Sequence, residues 1–279
     1  MQPILYEFHK SVWSAAAELA YDELDMAGKV DRKVIDLRAG ENFDPEYIKI
    51  APNATIPALA ADGKVYDSTK SSIEWMVEHS SVKVAPGSSL VDKLHEDALD
   101  PNFAFVASRN EEELQAKANG LPGASIKARL GYLKKHSESP GAAPYSSFYE
   151  RKIAQVGGLV ALLNNQVPET AKSGFFARST ALWDNIAAFL STTLPALLED
   201  KKVEEGNFIG GERPGVDDYH LGAWLARISF AQGAKGGEDA MEVLGKNLVG
   251  KPVDRRVSAY WKAWVSRESW KKVYEDGLH

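Results

Sequence analysis

Two periodicities divide this chain. Over the first eighty residues short apolar runs alternate with helical spacing, and beyond them no convincing pair of strands recurs. Ile4 to Phe8 reads as a strand. From Ser14 to Met26 the apolar residues Ala16, Leu19, Ala20 and Leu24 fall at helical steps, and Gly28 supplies a C-terminal stop. Arg32 to Leu37 reads as a second strand centred on Val34 and Ile35, and Pro45 to Ile50 as a short helix. Ile56 to Ala60 and Lys64 to Tyr66 flank Asp62-Gly63, the dipeptide favoured in tight hairpins. Ser71 to Glu78 is helical. The order βαβαββα describes a small α/β domain, with parallel strands joined by a helix and then an antiparallel hairpin.

The polar stretch from Ser80 to Ser89, ending Pro86-Gly87-Ser88-Ser89, reads as a linker. After it, helical patterns cover parts of Val91–Ala118, then Ile153–Asn164, Arg178–Glu199, Val216–Phe230 and Val257–Tyr274. Gly120 to Gly123 interrupts them, Ser137 to Ser147 reads as a surface loop, and Pro195 is expected to kink or end its helix. The expected class is therefore α/β plus all-α, with domain one at 1–80, a linker at 81–89 and a helical bundle at 90–279. A net charge of −6 provides no global field for nucleic acid or anionic membranes. Cysteine is absent, which excludes a Cys nucleophile, thiolate metal sites and disulfides. With no signal-like start and no bilayer-length apolar run, the expectation is a soluble, intracellular protein.

Ile56-Pro57 stands where a loop enters a strand. A cis Pro at that place turns the preceding amide and carbonyl outward, towards an extended ligand. The following hairpin leads to Asp67-Ser68-Thr69 at a helix start, where free amides and a hydroxyl suit a carboxylate. One segment grips a peptide backbone and the next a carboxylate, so the implied ligand is a short acidic peptide.

Four segments in this order resemble the glutathione transferase superfamily across most of the chain. Leu5 to Ser14 is similar to the first strand and turn of serine-type members, and Pro52-Asn53-Ala54-Thr55-Ile56-Pro57 to the family's cis-proline segment. Ser68-Thr69 falls where an acidic-Ser pair begins the third helix, and Phe208 to Tyr219 resembles the helical-domain signature. The resemblance implies a thioredoxin-like N-terminal domain, a helical C-terminal domain and a divergent, fungal-like, serine-type member. Glutathione is the implied co-substrate, with Asn53, Ile56, Pro57, Ser68 and Thr69 as contacts and no metal. It also implies a hydrophobic second substrate, a homodimer, a cytoplasmic setting, and no nucleic-acid or membrane partner. Departures are visible. Ala51 replaces a usual Asn, Ala54 a usual Gly, Thr55 a Lys or Gln, Trp13 a common Pro and Gly215 a Ser or Thr cap. The helical domain is longer than usual, with the excess around 104–147.

Ser11 is the implied catalytic residue, donating to the glutathione sulfur. A free thiol of pKa about 8.5 is only a few per cent ionised at neutral pH. One charge-assisted hydrogen bond of roughly 1.5–3 kcal/mol lowers that pKa by one to two units. The thiolate then attacks an electrophilic carbon or a peroxide. Competing assignments make Ser11 a plain helix cap, a place Ser14 is expected to fill more readily, or give activation to Ser14 or Tyr6. Asp218 is expected to bond back to its helix start as a folding element, and Trp224, Trp261, Trp264 and Trp270 to be core. Phe103, Phe105, Tyr132 and Tyr149 are candidates to line a hydrophobic site. The six His residues form no short metal-binding pattern. Two rivals share the fold: a carrier of hydrophobic compounds and a partner domain with no small-molecule role.

Overall fold

The structure, a computed structural model, describes residues 2–279. The first eighty residues form β1 (Ile4–Glu7), α1 (Val12–Glu23), β2 (Asp31–Val34), α2 (Pro45–Ile48), β3 (Ala58–Ala61), β4 (Lys64–Tyr66) and α3 (Thr69–His79). The sheet order is β2-β1-β3-β4, with β1 parallel to β2 and the other pairs antiparallel. The βαβαββα expectation holds. Asp62 and Gly63 both take positive φ, 54° and 73°, which is the conformation a two-residue hairpin loop needs.

The sheet separates two apolar layers. Leu5 joins the main core with α1, whereas Tyr6 and Phe8 face Ile35, Tyr47 and Ile56 on the other side. This is the alternation expected of a strand covered on both faces. Strand β2 differs from its expected extent. It spans Asp31–Val34 at the sheet edge, Val34 is 60% exposed, and the buried Ile35 lies beyond the strand's end.

The second domain runs α4 (Ser89–Leu94), α5 (Pro101–Val106), α6 (Glu111–Asn119), α7 (Leu121–Ser137), α8 (Ser146–Leu163), α9 (Glu169–Ala188), α10 (Leu194–Leu197), α11 (Val216–Ala231), α12 (Ala240–Leu244), α13 (Arg255–Ser266) and α14 (Glu268–Val273). Helix α11 packs against α1, and one continuous core joins the two domains through Leu19, Leu221 and Trp224. The four expected core tryptophans are buried.

Three local expectations need correction. Pro195 does not end its helix, because a π turn at Phe189–Thr193 precedes it and leads on into α10. The Gly120–Gly123 break is real but brief. Pro122 sits in the first turn of α7, where its missing amide costs nothing, and a 17-residue helix follows. The loop after it is shorter than 137–147, since a 3-10 turn at Ala143–Tyr145 leads straight into α8.

Helices α7 and α8 fold back onto the first domain. Phe43, Ile48 and Ala54 share a buried cluster with Leu133, Phe148 and Tyr149, and the Tyr149 hydroxyl donates to the Phe43 carbonyl at 2.6 Å. Tyr149 is 1% exposed, too buried to line an open pocket, and Tyr132 is half-buried against Gly40, so both hold the domains together. Among the described residues no helix is long and apolar enough to cross a membrane, and no three His, Cys, Asp or Glu side chains converge as a metal-ligand set.

Candidate functional site

The strand register brings the sequence-predicted residues to one edge of the sheet. Tyr6 pairs with Ala58, so the end of β1 lies beside the start of β3, and Leu59 pairs with Tyr66, so the end of β4 lies there too. Ser11 follows β1, Ile56-Pro57 precedes β3, and Ser68-Thr69 follows β4. The three segments therefore share that edge.

Ser11 occupies the N-cap of α1. Its amide donates to the Phe8 carbonyl and its carbonyl accepts from Ala15, both at 2.9 Å, but its hydroxyl makes no capping bond. Ser14 is not the cap. It lies inside the first turn, fully buried, and its hydroxyl accepts the Phe8 amide at 3.0 Å. Ser14 thus shapes the turn and leaves the Ser11 hydroxyl uncommitted at a positive helix end. Tyr6 is buried, with its ring edge-on to Tyr47 at 5.8 Å. That arrangement is packing.

The Ile56-Pro57 bond is cis, and both side chains are buried. Two donors hold the loop before it, Asn42 Nδ2 to the Ala54 carbonyl at 2.9 Å and the Tyr47 hydroxyl to the Thr55 carbonyl at 2.8 Å. Ala54 takes φ +53°. The backbone there has the left-handed form that explains the glycine in the resembling family, and this chain fills it with alanine. Asn53 and Thr55 are exposed on the outside of the loop.

At the start of the third helix Ser68 is the N-cap. Ser68 Oγ accepts the Ser71 amide at 3.1 Å, and Ser71 Oγ accepts the Ser68 amide at 3.3 Å, a reciprocal box. The Ser72 amide goes to the Ser68 carbonyl, which leaves the Thr69 and Lys70 amides as orphan donors of the first turn. Thr69 is 5% exposed, so it offers a backbone amide more readily than its hydroxyl. Lys70 donates to Asp92 of α4 at 2.7 Å, which ties this helix start to the second domain.

Three features around the turn escaped sequence reasoning. Arg32 donates to Glu7 at 2.7 Å and to Glu18 at 2.9 Å, and His9 Nδ1 lies 3.4 Å from Glu18. Burial, and then the Glu18 charge, push the Glu7 carboxyl up to about 7, while the bond to Glu18 raises His9. Trp13 stacks on His95 at 3.8 Å, and His95 Nε2 meets His220 Nδ1 at 3.0 Å. Arg227 bonds the Lys10 carbonyl at 3.2 Å. The visible signal was slight: His220 and Arg227 stand at the two ends of the apolar run Leu221–Ala226 of α11.

The helical signature behaves as expected. Asp218, fully buried, accepts the amides of Ile209, Gly210 and Gly215 at 2.9, 2.9 and 2.8 Å and the Tyr260 hydroxyl at 3.0 Å. Burial raises its carboxyl to about 6.

No protein-family model matches the sequence, and no curated protein matches it. Solved structures do match in shape. Beta-etherase LigF from Sphingobium sp. strain SYK-6 is 14% identical with a TM-score of 0.60, covering 99% of this chain and 100% of its own. Human glutathione-S-transferase T1-1 is 12% identical with a TM-score of 0.58, covering 98% of this chain and 88% of its own. Glutathione transferase F2 from Populus trichocarpa is 14% identical with a TM-score of 0.55, covering 98% of each chain. From the first strand to the last helix, the chain has the fold of the glutathione transferases.

Proposed function

We propose that the protein is a serine-type glutathione transferase, in which Ser11 stabilises the thiolate of bound glutathione for attack on a hydrophobic electrophile or peroxide. The observation that carries this reading is the uncommitted Ser11 hydroxyl at the N-terminus of α1, on the same sheet edge as the cis-proline loop and the open first turn of α3. The loop suits the peptide backbone of glutathione, and the Thr69 and Lys70 amides suit its γ-glutamyl carboxylate. The solved structures of this fold, mostly glutathione transferases by name, support the same ligand. The protein is read as a homodimer, for which sedimentation at micromolar concentration is the check.

The test is a glutathione titration read by thiolate absorbance. Binding with a thiolate band at neutral pH is the expected result. Binding without the band makes the protein a carrier, and the absence of binding makes it a scaffold; either result overturns the enzyme reading.

A further inference from the structure

At the seam between the domains, immediately behind the Ser11 turn, lies a group of buried polar atoms that the thiol chemistry does not use. Helix α11 is apolar from Leu221 to Ala226 and then carries Arg227, only 8% exposed. A guanidinium has five N–H donors. Arg227 makes one hydrogen bond, from Nη2 to the Lys10 carbonyl at 3.2 Å, and its Nε is buried without a partner. Among the described residues no carboxylate pairs with it; Asp276 is held by Lys10 at 3.1 Å, and Glu18 by Arg32 at 2.9 Å and His9 at 3.4 Å. Burial lowers the Arg227 guanidinium to about 10.

The surroundings are equally incomplete. Tyr274 Oη, His279 Nε2 and His9 Nε2 are buried and unpartnered. The His279 ring lies 5.5 Å from that of His9 and 4.8 Å from that of Tyr274. Phe105 and Phe230 flank the guanidinium at 5.5 and 5.9 Å, with their own rings 6.3 Å apart and 14° from parallel. Both phenyl rings are half-buried, so this flank is reachable from solvent. Water can satisfy unpaired donors, but it does not neutralise a buried charge. Buried charges in folded proteins are paired, because leaving one uncompensated is strongly unfavourable.

We propose that Arg227 anchors a second-ligand subsite for a planar aromatic anion, its carboxylate or equivalent oxyanion on the guanidinium and its ring against Phe105 and Phe230. Lys10, whose carbonyl Arg227 holds, is the residue before Ser11, so the subsite adjoins the position of the sulfur. That this ligand is the electrophile rests on the glutathione transferase reading; that it binds here does not.

The experiment is equilibrium dialysis of the full chain, without glutathione, against 4-nitrobenzoate and its neutral analogue 4-nitrobenzamide. The benzoate is expected to bind at least about tenfold more tightly, the value of one charge-assisted hydrogen bond. Arg227→Gln removes the preference, and Arg227→Lys keeps part of it, since Lys retains the charge without the planar fork. Equal affinities in the wild type, no benzoate binding at millimolar concentration, or a preference that survives Arg227→Gln overturns the subsite. Circular dichroism checks the fold of the variants, and the wild-type comparison decides alone if Arg227→Gln does not fold. Benzoate binding without any glutathione binding keeps the subsite and sinks the transferase reading, and the reverse pattern sinks the subsite only.

Discussion

The hydroxyl of Ser14 is buried on the Phe8 amide, while that of Ser11, three residues earlier, caps nothing. Replacing each by alanine therefore separates chemistry from folding. Ser11→Ala raises the bound thiol's pKa by about one to two units, the worth of one charge-assisted hydrogen bond, and lowers turnover at neutral pH. Ser14→Ala leaves a buried amide unsatisfied and costs about 1–3 kcal/mol of stability. Thiolate absorbance against pH and denaturant unfolding read the two effects, and a thiolate titration moved by Ser14→Ala alone would reverse the assignment. Ala54 makes a second case. At φ +53° an alanine is disfavoured by roughly 1–2 kcal/mol, and a glycine there sheds that strain while losing about 0.8 kcal/mol of methyl burial and roughly 0.5–1 kcal/mol to its greater backbone freedom in the unfolded chain. Ala54→Gly is thus expected to leave the unfolding midpoint close to wild type, whereas Ala16→Gly inside α1 lowers it clearly. Ser11, Pro57 and Ser68 were legible because each stands at a boundary where the backbone changes state, and boundaries have residue preferences. Arg227 was not, because a helix buried on every side has no polar face for periodicity to mark.

Element boundaries follow the same logic. The Asp62-Gly63 hairpin was readable since its turn demands positive φ at both positions. Strand β2 ends earlier than its apolar residues suggest, because its only partner is β1 and its own residues are all exposed, so Val34, read as the strand centre, is its last residue and Ile35 lies just beyond. Helix α7 was missed because Gly120 and Pro122 look like breakers, though Pro in a first turn is a start signal. Helix α11 depends on a single side chain for its start. Asp218 satisfies three backbone amides and the Tyr260 hydroxyl while fully buried. Asp218→Ala strands all four donors, and a loss of about 3–5 kcal/mol is expected, as for breaking other buried charged networks. Asp218→Asn retains part of the geometry and falls between the two. Denaturant midpoints at neutral pH check the order; equal stability of wild type and Asp218→Ala would show that the Gly215 backbone caps α11 unaided.

At the scale of the molecule, the domains are held by contacts that long-range folding alone creates. Trp13 of α1 stacks on His95 at the end of α4, and His95 bonds His220 of α11. A bond between two imidazole nitrogens needs one donor and one acceptor, so at least one of the two rings is neutral, and burial disfavours a charge on either. Burial holds His95 at about 4 and His220 at about 3, and it lowers His279 to about 3 as well. Each folded value lies below the unfolded 6.5, so the unfolded chain binds more protons and stability is lost as pH falls from 6.5 towards 4. Glu7 at about 7 and Asp218 at about 6 act in the opposite sense, since their folded values lie above the unfolded ones and stabilise on acidification. Taken by themselves, these three histidines and two carboxylates differ by about one proton taken up on unfolding near pH 5, a contribution of about 1.4 kcal/mol per pH unit. His220→Asn, whose amide takes the place of Nδ1, removes one of the three titrating rings and flattens that slope by about the same amount. Unfolding free energies of both proteins between pH 4.5 and 7.5 provide the measurement. Parallel curves would mean that His220 titrates in the folded protein as it does in the unfolded chain, and that the seam between the domains opens to protons without coming apart.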